Sequence, residues 1–151
     1  MGIRFEKGIS KVNALLLCKW SNKKGKEFQE QWMGPHITYP LDYNKLKELK
    51  DVFSIFSEDR FIGMIQEVWL EKGNMHIGRF ILDPQITGMG FGTEALRRFV
   101  EFIFENDSIK SVSLTVFDSN KNAKRVYEKL GFELEKTIES PKRKYIMKKC
   151  R

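Results

Sequence analysis

Gly88, Gly90 and Gly92 stand at alternate positions between a strand-like run ending at Leu82 and an amphipathic helical run beginning near Thr93. That spacing constrains what can be built there. Glycine reaches φ > 0 and lets a ligand approach the main chain. The first N–H groups of a helix have no carbonyl partner inside the helix, and the helix dipole adds partial positive charge at that end. A strand that hands over to a helix through such a turn makes a site for phosphate or pyrophosphate. The plain alternative is a glycine-rich turn without a ligand; three spaced glycines directly before a strong helix favour the ligand.

The glycines do not name the phosphate compound. Gly90-Phe91-Gly92-Thr93-Glu94-Ala95 also fits the dinucleotide pattern G-x-G-x-x-A, and the next strand reaches an acidic residue, Asp118. Two features oppose that reading: a proline-containing loop separates the strand from the glycines, and three meander strands come first. A P-loop is excluded because no Gly-Lys-Ser/Thr follows.

Around the turn the pattern reads as one α+β domain, residues 1–151. Residues 3–9 read as an edge strand, residues 10–32 as helical segments with a loop near Ser21–Gly25, and residues 42–50 as a short polar helix. Val52–Phe56, Phe61–Leu70 and Met75–Leu82 are rich in β-branched and aromatic residues, with turns at Ser57–Arg60 and Glu71–Asn74, so they form an antiparallel meander. A helix spans about Gly92 to Glu105, burying Leu96, Phe99, Val100, Ile103 and Phe104. Val112, Leu114 and Val116 alternate as a strand. A second helix runs from about Asn120 to Leu130, burying Ala123, Val126, Tyr127 and Leu130, with Asp118 or Ser119 as its cap and Gly131 as its stop. Strands follow near 132–138 and 143–149. Grouped strands, then strands alternating with helices, make a mixed sheet.

The charge is uneven. The net +7 divides into +5 over residues 1–50, −4 over residues 51–135 and +6 over residues 136–151. A basic surface can meet phosphates or simply be solvated, and no nucleic-acid-binding motif accompanies it. No apolar run approaches the ~20 residues of a membrane span. The N-terminus lacks a signal-peptide pattern, Glu6 stands where myristoylation needs Ser or Thr, and Cys18 and Cys150 show neither disulfide nor metal spacing. A cytoplasmic chain without a metal, membrane or nucleic acid is expected, as a monomer or homodimer.

About thirty residues beyond the glycines stands Asn120-Lys121-Asn122-Ala123-Lys124-Arg125-Val126-Tyr127-Glu128-Lys129-Leu130-Gly131-Phe132. This resembles the N-x-x-A-x-x-x-Y-x-x-x-G-F signature of the GNAT (GCN5-related) N-acetyltransferase superfamily, and residues 82–96 resemble its acetyl-CoA motif, R/Q-x-x-G-x-G/A. The motifs come in the family's order, and the resemblance is specific over roughly residues 60–135. Gln85, Gly88 and Gly90 fit the bare pattern. Keeping the strand end and helix start in phase instead puts Thr87 at the R/Q position, with Gly90 and Gly92 as the motif glycines, and this register is preferred.

The resemblance implies a GNAT-type fold: about seven mostly antiparallel strands, about four helices, and a splay between Met75–Leu82 and Ser111–Phe117 that holds acetyl-CoA. Residues 1–50 would supply the acceptor side, 52–135 the cofactor core and 136–151 the last strand. Main-chain groups of Ile81 and Leu82 would hold the pantetheine and thioester carbonyl, one N–H stabilising the oxyanion. Thr87, Gly88, Met89, Gly90, Phe91, Gly92 and Thr93 would cradle the pyrophosphate. Asn120 would hydrogen-bond the pantetheine arm, and Ala123 completes the motif's cofactor-facing residues.

Tyr127 matches the family tyrosine that protonates the departing thiolate, against the plainer reading of a core tyrosine. The substrate amine is the nucleophile, so neither cysteine is needed. His76 and Glu67 are the candidate bases, with water-mediated proton loss as the alternative. Trp20, Phe28, Trp32, Tyr39 and Trp69 are candidate walls of the acceptor pocket. The expected activity is acetyl transfer from acetyl-CoA to a primary amine. The competing readings are a non-catalytic acyl-CoA-binding module and a dinucleotide oxidoreductase.

Overall fold

A computed structural model describes residues 2–151. Its strands are β1 (Ile3–Lys7), β2 (Val52–Ser57), β3 (Arg60–Glu71), β4 (Asn74–Leu82), β5 (Ser111–Phe117), β6 (Glu133–Ile138) and β7 (Lys144–Cys150). Its helices are α1 (Lys11–Lys24), α2 (Lys26–Met33), α3 (Tyr43–Lys47), α4 (Phe91–Phe104) and α5 (Lys121–Lys129). The strands follow the order β1-β2-β3-β4-β5-β7-β6. The β1/β2, β2/β3, β5/β7 and β6/β7 pairs are antiparallel. The β4/β5 pair is parallel, with Asn74–His76 in register with Ser111–Ser113, and the register ends there although both strands continue.

Packing divides the described residues into two units, one of residues up to 67 with 78–95, the other of residues 68–77 with 96–151. β3, β4 and α4 run from one into the other. In the first unit, Ala14, Leu17 and Cys18 of α1, Trp32 and Met33 of α2, and Leu41 and Leu46 bury against Val52, Phe61, Met64 and Ile81. Ser10 starts α1 by accepting from Asn13 N at 3.2 Å, and Asp42 starts α3 by accepting from Lys45 N at 2.9 Å.

The loop expected near Ser21–Gly25 is a correction. The helix runs on through Lys24 and breaks only at Gly25, at φ 94°. Ser21 is buried and accepts a hydrogen bond from Trp32 Nε1 at 2.9 Å, while Asn22 bonds both N and O of Leu41. These tertiary partners hold polar residues in a helix that their local sequence favours ending. The break at Gly25 separates α1 from α2, so the described residues hold five helices where about four were expected.

In the second unit, Leu96, Phe99, Val100 and Ile103 form the buried stripe of α4, and Ile109, Val112, Leu114, Val116, Phe132, Tyr145 and Met147 are buried with them. The β5 alternation holds for its apolar residues, but Ser111 and Ser113 on the other face are buried too. A second correction concerns α5. Ala123, Val126, Tyr127 and Leu130 are half-buried and no residue of the helix is fully buried. Its cap is Asn120, not Asp118 or Ser119. Asp118 is committed elsewhere, accepting from the Tyr145 hydroxyl at 2.5 Å.

Candidate active site

In the first unit, β4 ends at Leu82 and a single 3₁₀ turn, Pro84–Ile86, leads into the glycines. Asp83 organises this passage. It is buried, accepts from Gln85 N at 2.9 Å, and pairs with Arg60 at 2.6 Å. Gly88 and Gly90 have φ of 81° and 86°, the left-handed region that a side chain makes costly. Helix α4 starts directly after Gly90, whose carbonyl accepts from Glu94 N at 3.1 Å. The N–H groups of Phe91, Gly92 and Thr93 therefore have no carbonyl partner within the helix, and residues 87–90 are exposed beside them. Thr87 gives its hydroxyl proton to the Pro84 carbonyl at 3.0 Å, so its main-chain N–H is what it offers an anion. Phosphate needs donors, and this turn supplies them from the backbone.

In the second unit, Asn120 Oδ1 accepts from Ala123 N at 3.2 Å, while its amide nitrogen remains a donor. Tyr127 is half-buried with its ring 6.2 Å from that of Phe132. Burial pushes its pKa up to about 12, so the phenol holds its proton throughout the physiological range.

His76, 8% exposed, lies in a polar ladder. Ser111 Oγ donates to Asn74 Oδ1 at 2.7 Å, and Asn74 Nδ2 donates to Ser113 Oγ at 2.8 Å. Ser113 Oγ shares a hydrogen bond with His76 Nδ1 at 2.7 Å, and Thr115 Oγ1 shares one with Nε2 at 3.2 Å. The ring also stacks on Trp69 at 4.9 Å. Burial lowers the His76 pKa to about 4, so it is neutral at pH 7 with both nitrogens engaged. Glu67, in the first unit, is half-buried; burial, then the Asp51 carboxylate, raises its pKa, with Lys7 opposing.

The aromatic residues expected to wall an acceptor pocket divide. Trp32 is buried and bonded to Ser21, Trp20 stacks on Phe61 at 5.6 Å, and Phe28 packs on the core. Tyr39 and Trp69 are exposed. Tyr39 lines a cavity of about 300 Å³ with Lys26, Glu30, Ile37 and the wholly buried Gln29. Neither cysteine is paired; Cys18 is buried, and burial followed by the Asp42 charge raises its pKa to about 11. Among the described residues, no group of three or more His, Cys, Asp or Glu could hold a metal ion, and no helix is long and apolar enough to cross a membrane.

The model of the acetyltransferase (GNAT) family matches residues 17–132. The chain belongs to this family. Among curated relatives, the spermine/spermidine N(1)-acetyltransferase of Bacillus subtilis (strain 168) is 26% identical over 78 residues, covering 52% of this chain and 51% of that protein. The kanamycin resistance protein of Rhizobium radiobacter is 37% identical over 71 residues, covering 47% and 66%. The chain thus spans about half the length of the spermine/spermidine enzyme it matches. Among solved structures, AAC(6')-Ib in complex with ribostamycin and coenzyme A superposes with a TM-score of 0.80 at 20% identity, covering 100% of this chain and 94% of that one. The GNAT fold read from the motifs is the fold of the chain.

Two site-proximal residues of this GNAT chain escaped the sequence reading. Arg79 looks like an ordinary strand residue, yet has φ of 47° in the middle of β4. Gly63 looks like a neutral residue of β3, yet a Cβ there would lie 2.1 Å from the Ile81 carbonyl oxygen. A lone glycine inside an apolar strand signals close backbone approach; for Arg79 the sequence carries no signal.

Proposed function

We propose that this chain is an acetyl-CoA-dependent N-acetyltransferase that acylates a primary amine by direct attack through a tetrahedral intermediate. The observation that carries the reading is the free amide triplet at Phe91–Thr93 behind left-handed Gly88 and Gly90, in a chain of the GNAT family. Residues 87–93 receive the pyrophosphate through main-chain N–H groups. Ile81 and Leu82 hold the pantetheine and thioester by their main chain, where the β4/β5 register has already stopped at His76 and Ser113. Asn120 donates its amide to the pantetheine arm, and Ala123 keeps that approach small.

Tyr127 protonates the departing thiolate. Its raised pKa keeps the proton available, and a phenol suits a thiolate leaving group. For the amine's proton we favour Glu67, directly or through water, because burial and then the Asp51 carboxylate raise its pKa and make it a stronger base than an ordinary carboxylate. His76, with both ring nitrogens bonded and a pKa near 4, supports β4 and β5 instead.

The acceptor we propose is a compound with several ammonium groups. The names of the spermine/spermidine and kanamycin relatives point to such amines, and the net −4 of residues 51–135 complements them. Residues 1–151 act as one domain in the cytoplasm, as a monomer or homodimer. The test follows CoA thiol release across polyamines, aminoglycosides and simple monoamines. Multivalent amines should turn over with higher kcat/KM than monoamines. Saturable acetyl-CoA binding with no acceptor-dependent thiol release would leave a non-catalytic binding module instead.

A further inference from the structure

The left-handed region is costly for a residue other than glycine, so Arg79 at φ 47° within β4 needs surroundings that hold it there. They are on its own side chain. Nε donates to the Met33 carbonyl at 2.9 Å and Nη1 to Gln66 Oε1 at 3.0 Å. Gln66, itself buried, uses Nε2 on the Lys50 carbonyl at 2.7 Å. Met33 is the last residue of α2, and its carbonyl is one that the helix leaves without a donor. A guanidinium there caps the helix and meets the negative end of its dipole. One side chain thus ties β4 to the end of α2, and through Gln66 to β3.

Two residues on, the consequence is visible. A Cβ at Gly63 of β3 would lie 2.1 Å from Ile81 O and 2.8 Å from Leu82 Cδ2. The Ile81 carbonyl is therefore turned onto β3 at a place where only glycine leaves room. In a planar trans peptide the following N–H points the opposite way, so the Leu82 amide is directed away from β3.

We infer that Arg79 is a positioning residue for acyl transfer: its ties to Met33 and Gln66 fix the kink in β4 that, with the gap at Gly63, aims the Leu82 N–H at the thioester oxygen. This rests on the acetyltransferase reading above. Arg79 does not touch the reacting atoms. It sets the direction of an amide that does, and a donor misplaced by about 1 Å can cost on the order of 10²-fold in rate.

The experiment compares Arg79→Ala, Arg79→Gly and Arg79→Lys with the unaltered chain by acetyl-CoA calorimetry, steady-state kinetics and thermal melting. Arg79→Ala should lower kcat roughly 10- to 100-fold, with the acetyl-CoA Kd changed less than about twofold because the turn at 87–93 is intact. Arg79→Gly removes the same ties but tolerates positive φ, and should recover several-fold of that loss. Arg79→Lys keeps a cation for the Met33 carbonyl and should fall between, and it serves where the alanine variant does not fold. A folded Arg79→Ala protein with unchanged kcat overturns the inference alone. So does a loss that merely follows the melting temperature and is not relieved by glycine. An unaltered chain that neither binds acetyl-CoA nor releases CoA with any amine overturns the acetyltransferase reading itself.

Discussion

The two helix starts that carry the family motifs are built in opposite ways. Helix α4 begins at Gly90, which has no side chain to cap it, and Phe91, Gly92 and Thr93 present their amides beside an exposed turn. Helix α5 begins at Asn120, whose side chain satisfies the Ala123 amide. The first leaves its positive end uncapped by a side chain; the second closes its own end and carries the Asn120 amide and the Tyr127 phenol of the proposed site. Under the proposed function the α4 start would supply affinity through main-chain donors that do not titrate, and the α5 segment would supply chemistry through groups that substitution can remove one at a time.

That contrast is open to attack, and the sharpest blow falls on α5. Tyr127→Phe should lower kcat by about 10²-fold or more, as loss of a general acid does, with the acetyl-CoA Kd nearly unchanged. As the proposed acid, Tyr127 would work in its protonated form, and its pKa is raised to about 12, so kcat should show no alkaline fall due to Tyr127 below about pH 11. A phenylalanine variant that loses affinity instead of rate would put Tyr127 in the binding role assigned to α4.

Acid separates the two kinds of group further. The folded-state pKa of His76, about 4, lies below the unfolded value of 6.5, so its folded form disfavours the proton. Stability is full above pH 6.5 and falls as pH drops towards 4, by on the order of 3 kcal/mol for this group. Denaturant titrations across that range should show the loss, and His76→Gln should flatten it. Main-chain amides do not titrate, so acetyl-CoA affinity per folded molecule should hold over the upper part of the same range.

Gly90→Ala tests the other side of the contrast. Forcing a side chain to φ 86° costs about 1–2 kcal/mol, so the acetyl-CoA Kd should rise roughly tenfold by calorimetry while kcat at saturation changes little. The smallest expected effects are at the α5 cap. Asn120→Ala should cost about 1 kcal/mol of stability and weaken acetyl-CoA several-fold. Asn120→Ser caps without an amide donor, so it should restore the melting temperature but not the affinity. Recovery of both would leave Asn120 as a cap alone.

Much of this was legible before the fold was known, because it lives in local rules. Alternate glycines ahead of an apolar helical stripe place a strand–turn–helix, and Asn120 through Phe132 carry a family spacing that fixes what the next helix belongs to. Where reading failed, distant partners decided. Ser21 and Asn22 stay helical because Trp32 and Leu41 bond them. Asp118 does not cap α5 because its carboxylate accepts from Tyr145 of β7, the strand paired with β5, 27 residues away in sequence and 2.5 Å away in space. The alternation of Val112, Leu114 and Val116 says nothing of Ser111 and Ser113 between them, which are buried too and satisfied through Asn74. Arg79 was invisible because nothing in a strand-like run announces a left-handed residue held by its own side chain.

The proposed function depends above all on main-chain amides at the α4 start gripping a diphosphate. Calorimetric titration of the folded protein with acetyl-CoA and with S-acetyl-pantetheine, which shares the thioester and arm but lacks the diphosphate and nucleotide, tests it most directly. Acetyl-CoA should bind saturably and the truncated compound more weakly, by about 10²-fold or more given the worth of several charge-assisted hydrogen bonds. Equal affinity for the two, or no binding of acetyl-CoA, would contradict it.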